Sequence, residues 1–246
     1  TLIHSFVEYI YMQQKNFEFI TLTNDGYIEY TQNLVNSLSD INLENSIKIY
    51  CVGKKSFKHF SDQALNTVYL NSGIFNSKNI FQSWRSKNFN KLMFIKLSII
   101  YENLKSSDQV LYCDGDIVFL KNPLEELKKE NNKDIVAQFD FNPDKDVKTL
   151  CAGFMLVNSN QKTLNLFNPS NVPSELLDRH YYFDDQKYIN ENISDLNCKL
   201  LDIKEYPNGA YFYKNFQKLQ PKIIHFNYLL GNEKKIKMQD MGFWSI

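Results

Sequence analysis

The sequence lacks an excess of either charge, because its 246 residues include 28 basic and 28 acidic side chains. A balanced chain offers no global electrostatic reason to bind nucleic acid or an anionic membrane. It also lacks any uninterrupted apolar run near the roughly 20 residues that a membrane helix needs. No Gly- or Ser-rich linker and no internal repeat divide it. These absences favour one globular unit without a transmembrane segment.

Cysteine is scarce as well. The four cysteines are far apart and form no CxxC pair. Three of them lie inside apolar runs, where a buried free cysteine is ordinary. The spacing therefore argues against both a zinc site and a disulfide scaffold. The residues are Cys51, Cys113, Cys151 and Cys198.

What is present is material for a core, with 43% hydrophobic and 15% aromatic residues. Strand-like runs over 17–23, 46–53, 67–71 and 109–113 alternate with amphipathic segments, of which 89–104 is the most periodic. This alternation predicts an α/β fold with a mixed, mostly parallel sheet and helices on both faces. We expect a helix over 1–16, a docking segment or the remnant of a removed region, and a single domain over 17–246. Asn24 is predicted to cap the first helix of that domain, and the last helix is predicted to end at FWSI.

The apolar run QVLYCDGDIVFLKNP is interrupted by Asp114, Gly115 and Asp116. Two carboxylates two residues apart lie on one side of an extended chain, where both can reach one cation. Oxygen ligands of this kind suit Mg²⁺ or Mn²⁺, and Gly115 leaves room for a bulky anionic ligand. The pair follows a strand, at the edge where open α/β sheets bind ligands. The alternative is a hairpin turn, because Asp-Gly is a favoured turn pair.

A second group of polar residues lies in KIIHFNYLLGNEKK, residues 222–235. His225 is a suitable third ligand for Mn²⁺, which imidazole binds better than it binds Mg²⁺. Gly231, Lys234 and Lys235 at a helix start would offer N–H groups and positive charge to a phosphate. The alternative is a core histidine followed by a solvated basic face, and for this segment alone that alternative is favoured.

Two shorter motifs complete the set. The acid and amide of Asp185-Gln186 can orient sugar hydroxyls or stabilise a cationic centre, although an acid at a helix N-terminus also complements the helix dipole. Ala152-Gly153 would let a ligand lie against the backbone, unless it marks only a bulge. Together the four motifs match what transfer from a nucleoside diphosphate requires. The leaving diphosphate must be neutralised, by a divalent ion and by lysines.

The ordered set VLYCDGDIVFLKNPL, CAGFMLVNSN, DDQ, PNG, HFN and GFW resembles the GT-A glycosyltransferases of the nucleotide-diphospho-sugar transferase group. Relatives in this group include plant cell-wall xylosyltransferases and, more distantly, glycogenin-like and lipopolysaccharide galactosyltransferases. The resemblance implies a Rossmann-like GT-A fold and a metal-dependent hexosyl- or pentosyltransferase. It further implies Mn²⁺, with Mg²⁺ as the alternative, a UDP-sugar donor, a glycan or glycoprotein acceptor, and retention of anomeric configuration.

The resemblance also implies roles for individual residues. Asp114, Asp116 and His225 match the metal ligands, and Asp114 also lies near the donor ribose. Asp185 and Gln186 match the catalytic pair beside the transferred sugar. The residues that match the surroundings of the donor are Thr21, Thr23, Tyr27, Lys96, Asp114, Gly115, Ala152, Gly153, Gly231, Lys234 and Lys235.

The chain departs from these relatives at Cys151, where glycogenin-like proteins have Asn, and in its His-x-Asn spacing. Two other functions use similar residues. A nucleotidyltransferase or phosphohydrolase could use the same acid pair, but the first needs a Gly-rich basic loop after the first strand and the second needs more metal ligands. A non-catalytic sugar-binding domain is expected to lose Asp116 or His225, and both are present. The compartment stays open: a soluble domain, cytoplasmic or the lumenal part of a larger secretory-pathway protein.

Overall fold

A seven-stranded sheet organises the chain, of which the computed structural model describes residues 16–70, 87–144, 148–172 and 184–246. The strands are β1 Phe17–Asn24, β2 Ile47–Val52, β3 Thr67–Tyr69, β4 Gln109–Cys113, β5 Ile117–Phe119, β6 Ile135–Phe139, β7 Leu150–Asn158, β8 Cys198–Leu200 and β9 Ile223–His225. The helices are α1 Ile28–Ser39, α2 Lys54–Ser61, α3 Lys87–Leu104, α4 Leu124–Leu127, α5 Gln161–Phe167, α6 Asp185–Glu191, α7 Gly209–Asn215 and α8 Asn232–Asp240. The helix predicted over 1–16 lies outside the described residues except for Asn16, and the single domain over 17–246 stays a prediction.

The strand order of the main sheet is β3-β2-β1-β4-β7-β6-β8. Neighbouring strands run parallel, except that β7 is antiparallel to both β4 and β6. The prediction of a mixed, mostly parallel sheet is therefore confirmed. The β6–β7 pairing is irregular, because Ala137 pairs with Met155 whereas Gln138 pairs with Cys151. Residues 152–154 of β7 thus form a bulge, a device that redirects backbone and side chains.

Two apolar clusters pack against opposite faces of this sheet. Alternate residues of a strand point to opposite faces, so Ile20 of β1 joins the cluster with α3 while Phe19 joins the cluster with α1. The same division holds in β4, where Tyr112 and Leu111 face opposite ways. Helices on both faces were predicted, and this arrangement is confirmed. Among the described helices, none combines the length and apolar character that crossing a membrane requires.

A second, two-stranded sheet pairs β5 with β9 in antiparallel register, so that Ile117 lies opposite His225. Asp114 to Asp116 therefore connect two different sheets, and the hairpin alternative is wrong. The backbone there is a turn, closed by the Ile117 amide donating to the Asp114 carbonyl at 3.3 Å. The two carboxylates converge because of this turn, and not because of an extended chain as we expected.

Two local predictions were wrong. Asn24 does not cap α1, because its side chain accepts a hydrogen bond from the Gly26 amide at 2.8 Å. The last helix ends at Asp240, two residues before Gly242 with its φ of 76°, and not at FWSI. In the PNG motif, Asn208 caps α7, its side chain accepting from the Tyr211 amide at 3.1 Å.

Candidate functional site

Asp114, Asp116 and His225 form a cluster in which one ligand atom of each residue lies within 4.8 Å of the others. Asp114 directly follows β4, Asp116 directly precedes β5 and His225 is the last residue of β9, so three strand ends meet here. The His225 Nε2 atom lies 3.3 Å from Asp116 Oδ1 and 3.8 Å from Asp114 Oδ2. Two carboxylates and an imidazole are a ligand set that divalent transition metals accept. The predicted metal ligands are therefore brought together.

Backbone hydrogen bonds hold this cluster in place. The Asp114 amide donates to the Gly153 carbonyl of the β7 bulge at 2.7 Å. The Phe226 amide, directly after His225, donates to the Asp116 carbonyl at 3.0 Å. The acid pair is thus tied to the main sheet on one side and to β9 on the other.

Gly153 provides the space that a cation in this cluster needs. A Cβ atom added there would lie 2.3 Å from His225 Cε1 and 2.6 Å from Asp114 Oδ2. Both distances are below van der Waals contact, so any side chain would displace two of the three ligands. The ligand chemistry and this absence of a side chain fit a divalent metal ion.

Lys234, at the start of α8, reaches the cluster and forms an ion pair with Asp116 Oδ2. Its ammonium also donates to the Tyr27 hydroxyl at 3.1 Å, and the Tyr27 ring stacks on Tyr30 with centroids 4.6 Å apart. Lys235 points elsewhere, to the exposed Glu29 at 2.8 Å. The sequence did not distinguish the two lysines as partners of the donor diphosphate, whereas the structure brings Lys234 to the acid pair.

Lys96 of α3 supplies a second cation on the other side. Its ammonium, 1% exposed as a residue, lies 2.6 Å from Asp185 Oδ2 and 3.3 Å from Asp114 Oδ1. It also donates to the Ala152 carbonyl at 3.2 Å and lies 4.7 Å from the centre of the Tyr112 ring. A buried ammonium is tolerable only with such partners. Lys96 therefore links Asp185, at the start of α6, to the acid pair.

Gln186 lies beside this pair with a fixed orientation. Its Oε1 accepts from the Ala152 amide at 3.1 Å, and its Nε2 donates to Asp140 Oδ2 at 2.8 Å. The other oxygen of Asp140 accepts from the Tyr228 hydroxyl at 3.0 Å and from Asn208 at 3.2 Å. Ala152 therefore serves both Lys96 and Gln186 through its two backbone groups.

The remaining predicted donor residues lie around the cluster at greater depth or distance. Thr21 and Thr23 are buried in β1, and the Thr23 hydroxyl oxygen accepts from Thr31 at 2.8 Å. A Cβ on Gly115 would lie 2.7 Å from the same Thr31 hydroxyl, so this side of the glycine is packed by α1. Gly231 has open space around it and a φ of 50°, which favours glycine. Contact of these residues with a donor stays a prediction.

The charges of the site shift several pKa values. Burial alone would raise the pKa of Asp116, but the Lys234 ammonium and His225 hold it far below its usual value. Burial alone would lower the pKa of His225, but the Asp116 carboxylate raises it to about 10. Burial raises the pKa of Asp185 to about 6, against the opposing effect of Lys96. The raised pKa of His225 favours the imidazolium form when no metal ion is bound, with Nε2 facing the two acids.

Comparison with known proteins assigns the chain to a family. The sequence model of the nucleotide-diphospho-sugar transferases matches residues 45–240, which is most of the chain. The chain belongs to the nucleotide-diphospho-sugar transferase family. The predicted resemblance and the prediction of a glycosyltransferase-family enzyme are confirmed.

One relative of known name agrees with the family assignment. A UDP-galactose:fucoside alpha-3-galactosyltransferase of Dictyostelium discoideum is 23% identical over 290 aligned positions, covering 98% of this chain and 44% of the relative. The chain thus spans less than half the length of that curated relative.

Two solved structures are similar to this transferase-family chain in fold. The galactosyltransferase LgtC, in complex with donor and acceptor sugar analogs, has a TM-score of 0.60 at 12% identity, covering 85% of this chain and 86% of LgtC. Mouse xyloside xylosyltransferase 1 has a TM-score of 0.56 at 11% identity, covering 86% and 98%. At these identities the likeness concerns the fold, and it confirms the predicted GT-A architecture.

Our sequence reasoning missed Gln138 and Asp140, which orient residues of the site. Gln138 lies in β6 and contacts His225, while Asp140 directly follows that strand. The one signal in the sequence was an amide inside an otherwise apolar strand. Such an amide is buried only when its hydrogen bonds are satisfied.

Proposed function

We propose that this transferase moves a sugar from a UDP-sugar donor to a glycan or protein-linked acceptor, with Mn²⁺ as its metal ion and with retention of anomeric configuration. The observation that supports it most directly is the cluster of Asp114, Asp116 and His225, flanked by the ammonium groups of Lys96 and Lys234. Two carboxylates alone would suit Mg²⁺ as well, and the imidazole favours Mn²⁺.

Asp114, Asp116 and His225 would hold the ion, which when bound supplies positive charge to the departing diphosphate. Lys234 is placed to add a second positive charge beside it. To do so its ammonium has to leave Asp116, and the nearby Tyr27 hydroxyl at 3.1 Å gives it a second partner. Positive charge fixed where negative charge develops lowers the barrier to transfer.

Asp185 and Gln186 are proposed to lie beside the transferred sugar. Lys96 holds the Asp185 carboxylate at 2.6 Å, and Asp140 with the Ala152 amide fixes the Gln186 side chain. Both groups are therefore oriented before a donor binds, and such preorganisation avoids a cost at the moment of reaction. Since Asp185 is engaged with Lys96, we assign it to orientation and charge stabilisation, and we favour a front-face route over attack by a protein carboxylate.

The Dictyostelium relative is a UDP-galactose:fucoside alpha-3-galactosyltransferase, so that protein has a UDP-linked donor and forms an alpha linkage. For this chain, UDP-galactose is accordingly the first donor to assay. A panel of nucleotide sugars with Mn²⁺, scored by donor hydrolysis, needs no acceptor. We expect hydrolysis of one UDP-sugar above the others.

Thermal unfolding with UDP tests the metal requirement. We expect UDP to raise the melting temperature of the wild type only when Mn²⁺ is present, and not to raise that of Asp116→Ala. Glu29→Ala is the matched control, because that carboxylate pairs with Lys235 on the surface and lies outside the cluster. The absence of any UDP effect with any divalent ion would refute the proposal.

A further inference from the structure

Gln138 is a fully buried amide that contacts the metal-cluster histidine from behind. Its Oε1 atom lies 2.8 Å from His225 Nδ1, the ring nitrogen that faces away from the acids. Its Nε2 atom donates to two backbone carbonyls, that of Tyr206 at 3.1 Å and that of Pro207 at 2.9 Å. All the hydrogen-bonding groups of this side chain therefore have partners.

These partners determine which way the amide points. Carbonyl oxygens only accept hydrogen bonds, so the NH₂ group must face Tyr206 and Pro207 and the amide oxygen must face His225. An amide oxygen is itself only an acceptor. His225 Nδ1 must consequently carry a proton. When the ring is neutral, as a metal ligand must be, its lone pair therefore lies on Nε2, toward Asp114 and Asp116.

The fold fixes this arrangement from two directions. Gln138 sits at the register shift of β6, opposite Cys151 at the start of the β7 bulge. The Pro207 carbonyl that accepts from Gln138 also accepts from the His225 amide at 3.3 Å, so one carbonyl positions both residues. The Cys151 thiol lies farther from Nδ1, at 3.6 Å, and sulfur is the weaker acceptor.

We infer that Gln138 is a positioning residue for the metal site, which fixes the Nδ1-protonated form of His225 and so directs Nε2 to the metal ion. The inference rests on the proposed metal-dependent function. An outer partner on the second ring nitrogen is a general requirement of metal-bound histidines, and its loss typically lowers metal affinity about 10- to 100-fold.

Two substitutions separate this role from a purely structural one. Gln138→Met and Gln138→Glu keep a similar side-chain length. Neither methionine nor a glutamate carboxylate can donate to the Tyr206 and Pro207 carbonyls. Only the glutamate keeps an acceptor for Nδ1. Mn²⁺ affinity in the presence of UDP is measured from the electron paramagnetic resonance signal of free Mn²⁺, with urea unfolding of each metal-free protein alongside.

We expect Gln138→Met to bind Mn²⁺ about 10- to 100-fold more weakly than the wild type and Gln138→Glu to stay close to it. Equal losses in both variants would assign the residue to structure alone and overturn the inference. Wild-type affinity in Gln138→Met would also overturn it. Failure of the wild type itself to bind Mn²⁺ with UDP would instead refute the proposed function, so the two failures are distinguishable.

A measurement on the wild type covers the case in which Gln138→Met does not fold. Nitrogen NMR of the histidine rings, with UDP and diamagnetic Zn²⁺, reports which ring nitrogen carries the proton. The His225 signals are assigned by their loss in His225→Asn. A protonated Nδ1 with a metal-bound Nε2 is expected, and a bare Nδ1 would overturn the inference.

Discussion

Replacing Gly153 with alanine tests the geometry of the metal cluster with one added methyl group. The residue lies in β7, where its backbone does not need glycine, so the consequence comes from space. The added carbon would meet His225 Cε1 at 2.3 Å and Asp114 Oδ2 at 2.6 Å. Carbon atoms prefer roughly 3.5 to 4.0 Å, so the ring must move by about 1 Å or more.

That displacement has two measurable consequences. Overpacking a tightly packed buried site costs about 1 to 3 kcal/mol of unfolding free energy. A ligand displaced by 1 Å also leaves the range in which metal–ligand distances are tolerated, which is about 0.2 Å. We therefore expect Gly153→Ala to lose Mn²⁺-dependent UDP binding at least 100-fold while the metal-free protein remains folded.

A double-mutant cycle assigns the effect to the ring. In a His225→Ala background the methyl group loses its contact with the ring and keeps only that with Asp114 Oδ2, so Gly153→Ala should cost less stability in urea unfolding than it does in the wild type. Residues in contact show this kind of non-additivity, commonly about 0.5 to 3 kcal/mol. Equal costs in both backgrounds, or Gly153→Ala binding UDP and Mn²⁺ as the wild type does, would refute the reasoning.

Three further outcomes follow from the charges of the site. Lys96→Met should lower the unfolding free energy by about 3 to 5 kcal/mol, because it leaves the buried Asp185 carboxylate without its cation, and Asp185→Asn should recover part of that loss in urea unfolding. Lys234→Met should weaken Mn²⁺-dependent UDP binding at least about tenfold by calorimetry, whereas Lys235→Met removes a surface pair worth roughly 0 to 1 kcal/mol and should bind like the wild type. In metal-free protein the pKa of His225 is raised from 6.5 to about 10, so protonation of His225 stabilises the fold fully below pH 6.5. That stabilisation is lost as the pH rises through 10. The stability difference between the wild type and His225→Asn should therefore shrink over that interval. Equal effects of Lys234→Met and Lys235→Met on UDP binding would contradict these assignments. A stability difference between the wild type and His225→Asn that is constant with pH would do the same.

Much of the fold was predictable because strands and helices differ in hydrophobic period. Strand partners were less accessible, since pairing is decided by packing across the whole chain and not by local pattern. The insertion of β7 between β4 and β6 is the clearest case, because its apolar run would suit either direction. That insertion matters to the site, since its bulge presents Ala152 and Gly153 to Lys96 and Asp114.

The residues of the candidate site were also only partly predictable from the sequence. Asp114 and Asp116 were candidate metal ligands from residue type and spacing, whereas His225 joined them through the resemblance to the transferases, because a core histidine was favoured for its segment alone. Lys234 and Lys235 could not be separated, since neighbouring helical residues point in directions that depend on where the helix starts. Gln138 gave almost no signal, because its role depends on carbonyls near residue 206 that only the folded chain brings to it.

The charges of the cluster also predict how metal and donor binding depend on each other. In the metal-free protein three acids face three cations, and the six residues are Asp114, Asp116, Asp185, Lys96, Lys234 and His225. A divalent ion adds two positive charges and displaces the proton on His225 Nε2, so it leaves the cluster with a net gain of about one positive charge. The diphosphate of a donor brings negative charge that offsets this gain and gives Lys234 a new partner. Mn²⁺ should therefore bind more tightly with UDP than alone, and UDP more tightly with Mn²⁺ by the same factor, because coupling between sites is reciprocal. Calorimetry in both orders of addition measures the two factors, and Mn²⁺ affinity unchanged by UDP would mean that this balance of charges does not govern the site.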